Sequence, residues 1–380
     1  MEKSDTPDNY AAVITVFEVK YPMLKILDRY LLKKFLGTFG FVVLILVSIV
    51  CVIDFTEKND DFLEHQLGGM EILVYYLDYI PYLASLITPI TVFIAVVFVT
   101  SKLANNTEIV AMLSGGVSFR RLLLPYFIGS SLIAVVSFFL NGWIIPNANK
   151  DRIAFEQTYI KSPFYFDDRD IHMKVAPELY AYMESYNNSN NVGYRFTLEQ
   201  IQGNQMLQKL SARRIEWDST QSKWTLKNWT LHQFDGEDET ISNGVSLDTT
   251  LNISPDDFGS TYGLFETLTL PELDRYIAQQ RERGANDIPV YLVEKYIRYM
   301  SPFTAIILTF IGVVMSAKKS RGGSGFQIAL GFLIAFVFII FFIFARSIAE
   351  VNSMDPMLAV WLPNIIFTAV GIFLYHIIRR

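Results

Sequence analysis

Apolar residues form long unbroken runs toward both ends of the chain and fall at alternating positions in its middle. Six runs approach the roughly 20 residues that a helix needs to cross a bilayer core of about 30 Å: Phe35–Ile53, Tyr79–Ser101, Leu122–Ile145, Met300–Ala317, Phe326–Ala345 and Met357–Ile378. The pattern is three spans, a long polar insert, then three spans. Within the insert the period drops to two in Leu179–Tyr186, Tyr194–Ile201 and Trp224–Phe234, segments rich in aromatics and Thr that predict strands. Polar clusters at Asn187–Gly193, Asp218–Ser222 and Asp235–Thr240 predict the turns between them, so an antiparallel sandwich or jelly roll is expected. The insert closes on Thr269-Leu-Pro-Glu272, the spacing of a capping box, followed by Leu273, Tyr276, Ile277 and Gln280 at helical intervals, with Gly284 as the stop.

The expected fold class is therefore an α-helical bundle of six transmembrane helices with an inserted all-β, jelly-roll-like domain. The expected units are a disordered extension over 1–22, spans one to three over 23–145 with a short helix near 104–114, a β-domain over 146–268, a connecting helix and linker over 269–295, and spans four to six over 296–380. Lys and Arg concentrate in the flanks on one side: Lys20, Lys25, Arg29, Lys33 and Lys34 before span one, Lys102, Arg120 and Arg121 between spans two and three, Lys318, Lys319 and Arg321 between four and five, Arg379 and Arg380 at the end. The loop Asp54–Asp78 has Lys58 as its one Lys or Arg against seven carboxylates. The positive-inside rule makes both termini cytoplasmic and the insert periplasmic. Residues 1–22 lack the basic and apolar regions of a secretory signal, and Met23, just ahead of the basic run, is as good a start as Met1.

A net charge of −6 argues against a nucleic-acid binder, and a hydrophobic content of 51% excludes disorder for the whole chain. With Cys51 as its single cysteine the chain has no internal disulfide. There is no phosphate loop, His-Glu-x-x-His helix or Gly-x-Ser-x-Gly elbow, and His65, His172, His232 and His376 are scattered. Asp168-Arg-Asp170 resembles a metal-binding carboxylate pair only over three residues, and the acidic run Asp235–Glu239 lacks the glycine and distal glutamate of a calcium loop. Leu113-Ser-Gly-Gly116 matches the start of an ATPase signature but has no phosphate loop to accompany it. It reads instead as the end of a short helix, Asn105–Leu113, with Glu108 in its first turn, apolar Ile109, Val110, Met112 and Leu113 behind, and Gly115 and Gly116 free to take positive φ. Such a helix suits docking in a partner's groove; a plain interfacial connector is the other reading.

The chain resembles the LptF/LptG permeases of the lipopolysaccharide export system from about Met23 to its C-terminus. The matching motifs are Ile26-Leu-Asp-Arg-Tyr30, Lys102-Leu-Ala-Asn-Asn-Thr-Glu108 through Ser114-Gly-Gly-Val-Ser118, Lys223-Trp-Thr-Leu226, Pro302 and Trp361-Leu-Pro363. Ile26–Tyr30 is closer to the LptG type. The resemblance implies a transmembrane subunit of an ATP-driven machine that extracts lipopolysaccharide from the outer leaflet of the bacterial inner membrane. It implies as partners a cytoplasmic ABC ATPase of the LptB type, a second permease of the LptF type and bridge proteins of the LptC and LptA types. No cofactor is expected on this chain, ATP being used by the partner. Glu108 would then be the coupling carboxylate, with Ile109, Met112, Leu113, Gly115 and Gly116 around it. Where some relatives carry a Lys at the outer end of span one, this chain has Asp54 beside Phe55, so the resemblance implies no lipid-phosphate contact at that position.

Moving a multi-acyl lipid costs about 0.8 kcal/mol per methylene exposed to water, so a continuous apolar path is required. Lys58, Lys150, Arg152, Arg298 and Arg346 are candidate contacts for headgroup phosphates at the outer rim, and Tyr182 and Trp229 candidate contacts for acyl chains in the insert. Competing expectations are a lipoprotein-releasing permease, a membrane-anchored periplasmic enzyme and a receptor-like scaffold.

Overall fold

The computed structural model describes residues 25–160, 169–236, 238–258, 263–283, 285, 288–318 and 323–379. The expected extension over 1–22, the alternative start at Met23, the helix stop at Gly284, Asp168 and Glu237 of the acidic motifs, and the flanking cations Lys20, Lys319, Arg321 and Arg380 lie outside these residues.

Each apolar run falls mainly within one long helix: α1 (Ile26–Glu57), α3 (Gly69–Asn105), α5 (Phe119–Phe139), α9 (Ile288–Ser316), α10 (Gly323–Glu350) and α11 (Pro356–Arg379). Short helices α2 (Asn59–Glu64) and α4 (Glu108–Ser114) fill the first two loops. At 1.5 Å per residue the 37-residue α3 is about 55 Å long, well beyond a bilayer core, so its ends project. Span three also overruns its apolar stretch. After α5 a π turn, Leu140–Ile144, carries the chain straight into α6 (Ile145–Tyr159), within the range 146–268 expected for the β-domain. Pro146 in the first turn of α6 lacks an N–H and would press its ring on the carbonyl four residues back; the wider π turn accommodates it, and the helix continues.

Helix α9 is the central pillar, 61% of its most apolar window being buried, while α1 and α10 are buried over only 6% and 22%. Toward the α4 end, Leu31 and Phe35 of α1, Leu103 of α3, Ile109 of α4, Leu122 of α5 and Ala317 share one core. Gly129 lets α5 approach α1 there: a Cβ would lie 2.7 Å from the Phe35 ring.

The insert is a single sheet of β1 (Arg169–Ala176), β2 (Leu179–Asn187), β3 (Val192–Gln202), β4 (Gln205–Asp218), β5 (Lys223–Asp235) and β6 (Asp238–Thr249), all antiparallel and in sequential order. This is a meander of consecutive hairpins. The Greek-key order of a jelly roll does not occur among the described strands, because tight turns join each strand to its neighbour. One face gathers Ala181, Met183, Phe196, Ala212, Ile215, Trp224 and Leu226, closed over by Ile253 and Phe258; the Trp224 indole N–H donates to the Ile253 carbonyl at 2.8 Å. Strict alternation breaks at Arg195 and Asn228, which take φ of 51° and 52°.

From the sheet the chain returns through α7 (Leu264–Thr267) and α8 (Leu270–Arg283). The expected cap is present in one half. The Glu272 carboxylate accepts from the Thr269 backbone N–H and from its hydroxyl, both at 2.8 Å, so the hydroxyl donates to the glutamate instead of accepting from the helix. Leu273 and Ile277 then bury against Tyr291 of α9.

Candidate functional site

Where α3, α9 and α10 diverge at the sheet end of the bundle they enclose a cavity of about 510 Å³. Its wall is mostly apolar, with Leu86 and Ile90 from α3, Ile297 from α9, and Phe338 and Phe342 from α10. Its mouth carries Glu266, Glu294, Arg298 and Arg346, and Phe265 and Glu266 of α7 lie across it as a roof. A second chamber of about 470 Å³, between α3 and α6, shares Tyr82, Phe265 and Glu266 with the first.

The ionic groups above the cavity are tied to one another. Arg298, 4% exposed, donates to Glu294 at 3.0 Å and to the carbonyls of Leu268 and Phe265 at 2.5 and 2.6 Å, pinning the α7–α8 connector to α9. Arg152 donates to Asn149, Glu156 and Glu266, the last at 2.5 Å, with its guanidinium over the Tyr82 ring. Burial raises the Glu266 carboxyl above the usual glutamate range, and the Arg152 charge works against that rise. Lys58 lies 2.8 Å from Asp54 and 2.5 Å from the Tyr75 hydroxyl, with Glu156 at 3.8 Å. Asp54 thus holds the Lys58 ammonium one helical turn on, and Tyr76 donates to the same carboxylate at 2.9 Å. Arg346 pairs with Glu350 at 2.7 Å while keeping a third of its side chain exposed at the cavity mouth. Lys150, more exposed, pairs with Glu272 at 3.3 Å.

Of the expected rim cations, the structure therefore brings Arg298 and Arg346 to one cavity, places Lys58 and Arg152 at the adjoining chamber, and leaves Lys150 outside both. The two aromatic candidates in the sheet are on opposite faces. Trp229 packs on the apolar core of the sheet against Gly244. Tyr182, between the buried Ala181 and Met183, faces the other way, with its hydroxyl donating to Asp170 at 2.7 Å and its ring beside His172.

At the opposite end of the bundle Thr107 takes a left-handed φ of 62°, which breaks α3 from α4, so the short helix starts at Glu108, three residues later than expected. Gly116, with φ 86°, supplies the turn toward α5, whereas Gly115 sits in ordinary backbone. Ile109 is 1% exposed in the bundle core and Met112 packs against it; Val110, Ala111, Leu113 and Ser114 form the outward face. Glu108 accepts from the Tyr30 hydroxyl at 2.7 Å and from the Asn106 amide at 3.4 Å, and Lys34 stands 3.8 Å away. The Tyr30 bond, with smaller help from Asn106 and Lys34, holds the Glu108 carboxyl below its ordinary range against a weak desolvation effect. Next to it, the buried Asp28 carboxylate pairs with Arg121 and accepts from the Lys25 N–H at 2.8 Å.

Asp28 with Arg121 therefore latches α1 to the first turn of α5, and Tyr30 and Lys34 hold it to Glu108 at the start of α4, a role that sequence reasoning missed. Its one signal is Asp28 itself, on the buried stripe with Leu31 and Phe35. Residues 29–377 match the family model for the lipopolysaccharide export system permease LptF/LptG. The chain belongs to this family. No curated protein matches it. Six candidate spans and LptF/LptG membership make it a multi-pass inner-membrane protein with a role in lipopolysaccharide transport, in a family of permeases and not of enzymes.

Proposed function

We propose that this LptF/LptG chain is the transmembrane subunit of an ATP-driven exporter that lifts lipopolysaccharide from the outer leaflet of the inner membrane toward a periplasmic bridge. The observation that carries this reading is the apolar cavity between α3, α9 and α10 beneath a roof, α7, that belongs to the connection with the sheet. An acyl chain leaving the bilayer needs apolar surface throughout, at about 0.8 kcal/mol per methylene. The cavity offers that surface at the bundle's end. The basic flanks favour a cytoplasmic α4 and a periplasmic sheet. ATP hydrolysis then belongs to a separate ABC ATPase of the LptB type, docked on the outward face of α4. A second permease of the LptF type covers the apolar flanks left open on α1 and α10, and LptC- and LptA-type proteins take the lipid onward from the sheet.

A photo-crosslinker at Ile297, inside the cavity, captures lipopolysaccharide in an ATP-dependent manner in the assembled complex. The same group at Tyr299, exposed on another side of α9, does not. Equal capture at the two positions, or at Ile297 with and without ATP, overturns the reading.

A further inference from the structure

Helices α5 and α9 leave a second apolar groove, of about 240 Å³, near the α4 end of the bundle and remote from the roofed cavity. Leu123, Leu124 and Phe127 line it from α5, and Ile306, Phe310 and Val313 from α9; its lining contains no carboxylate. Arg120, exposed in the first turn of α5, stands at the groove's end and gives its described lining a positive charge.

Thr309 lies in the wall of this groove, 2% exposed, and its hydroxyl has no partner among the described residues. Four other helical threonines, Thr56, Thr88, Thr158 and Thr368, return their hydroxyls to the carbonyl four residues back at 2.7–2.8 Å, and the buried Thr100 and Thr304 bond to side chains of neighbouring helices. A buried hydroxyl without a partner is costly unless something from outside supplies an acceptor. Seven residues separate Thr309 from the end of α9 at Ser316, about 10 Å of helix. That depth lies beneath a headgroup anchored at the helix end, where the ester groups of a membrane lipid begin.

We propose that the α5–α9 groove binds one anionic phospholipid of the leaflet on the α4 side. Its phosphate rests on Arg120, an ester carbonyl accepts the Thr309 hydroxyl, and one acyl chain lies against Leu124, Phe127 and Phe310. This lipid is a resident of the permease, held on the opposite side of the membrane from the sheet, and is distinct from any lipid in the roofed cavity.

The test uses the full-length protein in detergent, with bound lipid counted by native mass spectrometry during titration with phosphatidylglycerol or phosphatidylethanolamine. One phosphatidylglycerol is expected to bind in preference to phosphatidylethanolamine. Arg120→Gln weakens it about fivefold, the effect of one cation beside an anionic lipid, while Arg120→Lys retains it. Thr309→Val, equal in shape, lowers binding while the lipid-free protein melts at no lower a temperature. Soluble glycerol phosphate does not displace the lipid. Equal binding of the two lipids with no response to Arg120→Gln or Thr309→Val means ordinary annular lipid and overturns the proposal. Displacement by glycerol phosphate, which would reveal an anion site with no acyl component, also overturns it.

Discussion

Glu108 does two things at once: its carboxylate is held by Tyr30 and Lys34 of α1, and it opens the helix whose outward face is Val110, Ala111, Leu113 and Ser114. A partner pushing on α4 therefore also pushes on the base of α1. Glu108→Lys sets a cation beside Lys34, breaks the bond from Tyr30, and is expected to uncouple ATP hydrolysis from lipid release in the assembled exporter while the protein still inserts. Lipid release at the wild-type rate by this variant would remove Glu108 from the coupling path. Asp28 is the more structural residue. Its carboxylate is buried whereas Arg121 is one-third exposed, so Asp28→Ala is expected to cost about 1–2 kcal/mol, less than the 3–5 of a fully enclosed pair. Thermal unfolding in detergent measures it, and an unchanged midpoint contradicts the latch. These contacts were hidden in the sequence because Asp28 and Arg121 are 93 positions apart; Glu108 was legible because its carboxylate opens a short apolar helix between two spans.

Helices with long apolar runs could be read directly, since a run of that length has few alternatives to spanning a bilayer. Their full extents could not be read. The first turns of α3 carry Glu71 and Asp78 among their apolar residues, and α6 mixes polar with apolar residues and has Pro146 in its first turn, where a helix ordinarily begins and not where one continues. In the insert, β2, β3 and β5 announced themselves by alternation, whereas β6, with Thr, Ser, Asn and Asp on an exposed edge, did not. The α8 cap was written in Thr269 and Glu272, and it carries a pH dependence. Bonds from the Thr269 N–H and hydroxyl lower the Glu272 carboxyl below its ordinary value. The cap's contribution is therefore complete above the ordinary glutamate range and is lost as pH falls through the lower folded-state value. Glu272→Ala is expected to cost about 1 kcal/mol and to speed amide exchange in the first turn of α8 at neutral pH. Exchange rates identical to wild type would show that the cap contributes nothing.

Across the whole molecule, α9 joins the two functional ends. It packs with Ile109's core near α4, and through Arg298 it holds the carbonyls of Phe265 and Leu268 that position the roof of the cavity. Force entering at α4 thus has a continuous packed route to the roof. The roof is held by two ion pairs, Arg152 with Glu266 and Arg298 with Glu294. None of this convergence was visible in the sequence, which marked Arg298 and Arg346 only as cations at span ends. The most direct measurement is ATP-driven release of lipopolysaccharide from proteoliposomes containing the complete exporter with Leu86→Trp in this chain, a cavity-wall position exposed enough to accept the larger ring. Release is expected to fall at least tenfold while ATP is still hydrolysed; release at the wild-type rate would rule the cavity out as the lipid's path.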